Sequence, residues 1–411
     1  MSHPFSERRT SGFTLIELMV SIVIALIVTL AVTSTVITNE STKRTTTSTN
    51  DMNQTGSYAS YFLDRAVRSA GSGFTQASSL AGIFGCRLTA KMGSTPDLPR
   101  TNLAFPAPFA TYFLGGATGS GNLRVAPVLI GKGQADGPLI GATSGAGSDV
   151  LVVMGGNAAA GDVPRPLLSN VSSTGTSNIV RVNNAVGITG GDLTLVSQTG
   201  ETDCLLEPVT STFVDTVGNT TIPLSGTYFT STGSSTSLAA MASSGSAYLT
   251  PLGNTTARNV QFQLFGVGAN RTLFAYDLLR ADGNDAAQAI ADGVAQMHAL
   301  YGLDTNADGI LDKWVDPGAT GYDIATLMAN PATIRQIVAI RVALVMRGNK
   351  YEKEVVSTTI PALFDNLTPA PDASLKRAAV TLSTSGDDQH YRYRLVEFTI
   401  PLRNVLLLPT S

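Results

Sequence analysis

The longest unbroken pattern in the chain lies near its start. From Phe13 to Ile37 the residues read FTLIELMVSIVIALIVTLAVTSTVI, apolar or small throughout except for one acid, Glu17. About 20 apolar residues at a rise of 1.5 Å each suffice to cross a bilayer, so this run predicts a membrane-spanning helix. The polar stretch that follows has no proline before Pro96 and sets Tyr58, Tyr61, Phe62, Ala66 and Val67 at helical spacing, ahead of Gly71 and Gly73. It predicts a continuation of the same helix that packs on a globular body and stops at the glycines. Thr42 to Thr49 has weak helix propensity, so this middle part is expected to be partly melted.

Beyond residue 75 the pattern turns to short apolar runs between clusters of Gly, Ser, Asn and Pro. DVLVVMG from Asp149, NIVRV from Asn178 and DLTLVSQ from Asp192 predict strands. NVQFQLFGVG from Asn259 and RTLFAYDLLR from Arg271 predict a hairpin, and IVAIRVALVMRG from Ile337 and YRYRLVEFTIPLR from Tyr391 predict two further strands. Between them, Ile290, Val294, Met297 and Tyr301 recur at helical spacing and predict an amphipathic helix over Ala289 to Tyr301. The Gly/Ser/Thr-rich tracts near 115–147 and 216–246 predict surface loops. The expected fold class is α+β, a long N-terminal helix, transmembrane in its first half, that carries a large β-rich head. The expected segments are a leader at 1–12, the spanning part at 13–37, the polar continuation at 38–73 and the head at 74–411, with a sub-boundary near 250.

Composition narrows the function. The 411 residues are 43% hydrophobic, enough for a sizeable core, whereas 27 basic against 30 acidic residues leave a net charge of −3 and nothing to hold a polyanion. Nucleic acid is excluded as an expected partner. Arg8 and Arg9 precede the apolar run, so the positive-inside rule puts the leader in the cytoplasm and the bulk of the chain outside. A secretory signal would end in a small-residue cleavage site, and here the run continues into Thr and Ser without one. Cys86 and Cys204 are the two cysteines and lack C-x-x-C spacing, which leaves open one bridge or two unrelated thiols. Export to an oxidising space favours the bridge.

The junction Gly12-Phe13-Thr14-Leu15-Ile16-Glu17 resembles the type IV prepilin signature. The resemblance implies that a prepilin peptidase cuts after Gly12, that Phe13 becomes the methylated N-terminus, and that Glu17 serves assembly. A carboxylate inside the apolar helix costs about 2.5–3.5 kcal/mol on insertion scales, and a neighbouring subunit's N-terminal amine would relieve it. Further along, FLDRAVRSAGSGF with GIFGCR, GVAQMHALYGLDTNADGILDKW, and VAIRVALVMRG with FTIPLRN resemble segments of the PilW-type minor pilins. This implies a subunit held in the inner membrane with its head in the periplasm before it enters a pilus fibre. Its implied role is assembly or priming at or near the fibre tip, in adhesion and twitching motility. The implied partners are the major pilin, other minor pilins and a PilY-type tip adhesin. Minor pseudopilins of type II secretion share the N-terminal motif and are the alternative.

No enzyme is expected. Outside the leader the imidazoles are His298 and His390, read as a helix-surface and a strand-edge residue, and no nucleophile elbow or dinucleotide fingerprint occurs. One motif stands apart. Asp304, Asn306, Asp308 and Asp312, with the carbonyl of Ile310 and Gly309 at the turn, occupy the first nine positions of an EF-hand-type loop, which predicts a structural calcium ion. Val315 stands where the bidentate Glu belongs, with Asp316 one step late. The alternative is an Asp/Asn/Gly turn without an ion.

Overall fold

The computed structural model describes residues 12–74, 83–92, 95–98, 105–109, 123–135, 147–156, 163–254, 256–257, 259–280, 283–369, 375, 377, 379–384 and 386–406. The predicted leader thus lies outside the described residues up to residue 11, and so does most of the 115–147 tract. The chain divides into two compact units, 1–51 and 52–411.

One helix of 54 residues, Leu15–Arg68, runs through the boundary between them. Its Thr-rich middle is helical, against the expectation of partial melting. The hydroxyls do not divert the backbone: Thr38, Thr42 and Thr46 each donate to the carbonyl four residues back, at 2.9, 3.0 and 3.0 Å, and so are met within the continuous helix. The helix stops where predicted. Gly71 and Gly73 adopt φ of 75° and 81°, a left-handed conformation that favours glycine, and Asn404 Nδ2 donates to the freed carbonyl of Ala70 at 3.0 Å. Within the second unit the helix buries Ala59, Leu63, Ala66 and Val67, whereas Tyr58 and Tyr61 remain exposed.

The head is β-rich. Among the described residues its largest sheet has eight strands, in the order Thr95–Leu98, Arg87–Met92, Asp203–Pro208, Asp192–Gln198, Ala247–Asn254, Arg165–Ser173, Ser177–Val182 and Thr221–Ser225. A five-stranded sheet runs Gln288–Asp292, Thr272–Asp277, Gln261–Val267, Val150–Gly155 and Val128–Gly131. The hairpin predicted from Asn259 and Arg271 is there, with Phe265 opposite Ala275. A four-stranded sheet runs Lys313–Val315, Val294–Leu303, Ile337–Arg347 and Tyr393–Pro401. Residue 250, the expected sub-boundary, falls inside a strand, and Gln261–Val267 pairs back to Val150–Gly155 across it. The 216–246 tract carries the strand Thr221–Ser225 and the short helix Leu238–Ser243, capped by Ser237, as well as loops.

The helix predicted over Ala289 to Tyr301 is instead two strands, Gln288–Asp292 and Val294–Leu303, separated by Gly293 at φ 76°. All ten residues of the second strand are buried. A strand covered on both faces carries apolar side chains at consecutive positions, so any helical spacing can be picked out of it. Its partner Ile337–Arg347 pairs with it from Val294 opposite Met346 to Leu303 opposite Ile337, and Tyr393–Pro401 pairs with the far side of that partner.

Candidate functional site

The N-terminal site is built from consecutive residues. Gly12 leaves open space where a side chain would stand, and Phe13 is 82% exposed. The helix begins at Leu15 behind a reciprocal cap. Glu17 Oε2 accepts from the Thr14 N–H at 3.0 Å and from its hydroxyl at 2.8 Å, while Thr14 Oγ1 accepts from the Glu17 N–H at 3.3 Å. This is the T-x-x-E capping box, and it satisfies donors at the start of the helix. The sequence reading gave Glu17 its role without Thr14. The signal was present, because a Thr three residues before a Glu at the head of an apolar run marks a helix start. Behind the cap the helix exposes Leu15, Ile16, Met19, Ile22, Leu26, Leu30 and other apolar side chains on every side. It is the one described helix long and apolar enough to cross a membrane. Such a helix is at home in hydrocarbon or among other apolar helices, not in water.

The acidic loop is closed on itself. Asp304, 6% exposed, accepts from the N–H groups of Ala307 at 2.7 Å and Gly309 at 2.7 Å, and more weakly from those of Asn306 and Asp308 at 3.3 Å. Asp308 Oδ1 accepts from the Ile310 N–H at 2.7 Å, and its Oδ2 accepts from Asn306 Nδ2 at 3.0 Å. Asp312 Oδ2 accepts from the Thr305 N–H and hydroxyl at 2.7 and 2.6 Å, which holds its carboxyl below the ordinary range. Asp316, the late candidate for the last ligand position, turns to Lys132 Nζ at 2.6 Å, and Val315 is buried. Among the described residues no group of three or more His, Cys, Asp or Glu is placed to hold a metal ion.

Cys86 and Cys204 are joined by a disulfide with Cα atoms 5.7 Å apart. Pairing explains the approach: Arg87–Met92 runs parallel to Asp203–Pro208 with Leu88 opposite Cys204. Arg87 Nε donates to the buried Asp203 at 2.7 Å beside the bridge. His298, read as a helix-surface residue, is instead buried in a strand, whereas His390 lies half-buried in the turn just before the edge strand Tyr393–Pro401. His298 is 2% exposed in the middle of Val294–Leu303, and His390 lies under the Tyr351 ring, 4.9 Å between centroids, with Nδ1 2.8 Å from the Glu352 carbonyl.

Two family models match the chain. The prokaryotic N-terminal methylation motif covers residues 8–33, and the Type IV Pilus-assembly protein W model, PilW, covers residues 264–404. The chain carries a prepilin N-terminal motif and a PilW region. No curated protein and no solved structure matches it. The PilW region takes in most of the Gln261–Val267 and Thr272–Asp277 hairpin, the whole four-stranded sheet and the acidic loop. It begins after the eight-stranded sheet has ended, so FLDRAVRSAGSGF and GIFGCR lie outside the match. The methylation motif holds Gly12, Phe13, Thr14 and Glu17 together with the start of the exposed apolar helix. A type IV pilus-associated pilin anchored by that helix accounts for both matches.

Proposed function

We propose that this PilW-type prepilin is a minor pilin that primes pilus assembly and sits at or near the fibre tip. In this reading a prepilin peptidase removes the leader after Gly12, and the apolar helix holds the chain in the inner membrane with the head in the periplasm. Assembly then draws the helix in among the helices of the major pilin and other minor pilins, where Glu17 meets a partner amine. A PilY-type adhesin is the expected tip partner, and adhesion and twitching are the outputs. The observation that carries the proposal is the methylation motif and the PilW region on one chain. Deletion tests it: loss of surface pili and twitching supports the proposal, whereas intact pili with loss of a secreted enzyme moves the protein to a type II secretion pseudopilus.

Calcium at the 304–312 loop belongs to the same proposal as a structural element. What supports it is the order of oxygen-bearing residues and the single turn around Asp304. Binding requires Asp312 to leave Thr305 and Asn306 to turn its amide oxygen toward the ion. Melting curves in chelator and in several millimolar calcium test it, since a ligand of the folded state raises the melting temperature. Coincident curves leave the loop a turn.

A further inference from the structure

At the end of the four-stranded sheet nearest the 3₁₀ turn Asp387–His390, two arginines converge on one carboxylate. Arg271, at the turn between Gln261–Val267 and Thr272–Asp277, has its nearest carboxylate, Asp388 Oδ1, 3.8 Å away. Arg347, at the end of Ile337–Arg347, stands 3.6 Å from the same oxygen and 3.8 Å over the Tyr391 ring. Both separations exceed a hydrogen bond, and Asp388 Oδ1 also accepts from the Tyr393 hydroxyl at 3.3 Å.

Arg271 is the unusual member. Its side chain is 29% exposed, yet among the described residues its guanidinium makes no hydrogen bond, and Nε is buried without a partner. A guanidinium carries five donors, and burying even one of them unmet is costly. Its backbone sits at φ 58°, a strained conformation for a side chain this large, so this turn holds a long cation where glycine would fit more easily. The surrounding charge does not cancel it. Glu352 is taken by Arg392 through bonds of 2.5 and 3.0 Å, His390 faces the Glu352 carbonyl, and Asp387 is exposed in the adjoining turn. Arg271, Arg347 and Asp388 together leave one positive charge in excess.

We propose that Arg271 and Arg347 form a binding site for an oxyanion, a carboxylate or a phosphate, with Arg271 supplying the free donor fork and the Tyr391 ring backing Arg347. A guanidinium fork matches either group bidentately. The carboxylate would come from an acidic segment of a partner chain, the phosphate from a phosphorylated one. This inference stands independently of the pilus reading.

The full-length protein in detergent is melted in sodium chloride, acetate and phosphate at matched ionic strength, as native chain, as Arg271→Gln and as Arg271→Gly. The glycine variant suits φ 58° and keeps the turn, so it reports on the site even where the glutamine variant folds poorly. The expected result is a rise of roughly 2–4 °C over chloride in the native chain that both variants lose. A larger rise in acetate assigns a carboxylate, and a larger rise in phosphate assigns a phosphate. Equal increments in native and Arg271→Gly protein, or none in the native protein, overturn the site.

Discussion

Arg377 Nη1 stands 2.6 Å from His298 Nδ1, which ties the segment that covers the four-stranded sheet to the buried middle of Val294–Leu303. Since arginine only donates, Nδ1 is the acceptor and the ring proton sits on Nε2, facing Gln296 Oε1 at 3.5 Å. Asp149 completes the cluster, 3.7 Å from His298 Nδ1 and 3.6 Å from Arg377 Nη2. Its two oxygens accept from the Gly133 N–H at 2.8 Å and the Ala299 N–H at 2.9 Å. One fully buried carboxylate thus joins the loop at 133, the start of Val150–Gly155 and the strand Val294–Leu303.

Asp149→Ala is therefore expected to cost about 3–5 kcal/mol, the range for removing one partner of a buried charged group. Burial pushes the Asp149 carboxyl up, while the nearby Arg377 guanidinium and the Gly133 N–H pull it down, and the carboxyl lies below the ordinary range. A lowered carboxyl contributes stability above its unfolded-state value and loses it as pH falls through the folded one. Acid titration of melting temperature should show this loss below the ordinary carboxylate range in native protein and not in Asp149→Ala.

Glu207 has the opposite sign. It is fully buried, Oε2 accepts from the Thr230 N–H at 3.1 Å, and Oε1 has no partner. Burial pushes its carboxyl well above the ordinary value, so the folded chain holds a proton that the unfolded chain releases. Stability then falls as pH rises from about the unfolded value toward the raised one. Glu207→Gln keeps the acceptor for Thr230 and carries no charge. It should melt higher than native protein at about pH 7.5 and level with it near pH 4.

Cys86→Ala with Cys204→Ala should cost roughly 2–5 kcal/mol, the common effect of opening a native bridge that closes a long loop. Denaturant melts of oxidised, reduced and doubly substituted protein check it. Reduced and substituted proteins should agree with each other, and an oxidised protein no more stable than these would contradict the expectation.

Much of the architecture was legible in the sequence because single causes set it. An apolar run, two glycines able to take positive φ, and short apolar runs between turn residues each point one way. The Ala289 to Tyr301 segment misled because burial on both faces erases the period that separates strand from helix. The Asp149, His298 and Arg377 cluster was invisible for another reason. Its members lie far apart in the chain, and only the pairing of three strands and the covering segment brings them together. Thr14 is legible as a cap from its place three residues before Glu17.

The local cap formed by Glu17 also yields an expectation for assembly. In the single chain its carboxylate is engaged by Thr14, so exchange for a neighbour's amine is the step that Glu17→Ala removes. The variant should enter the membrane and be cut after Gly12 as native protein is, yet be depleted from sheared fibres on immunoblots. Native incorporation would remove the assembly role.

The central claim is that this chain is cut after Gly12 and built into a pilus. Mass spectrometry of the protein in sheared, purified surface fibres tests it most directly. The account expects an N-terminal peptide that begins at a methylated Phe13 in the fibre fraction. A Met1 terminus in the fibres, or a protein confined to the inner membrane while fibres form normally, would contradict it.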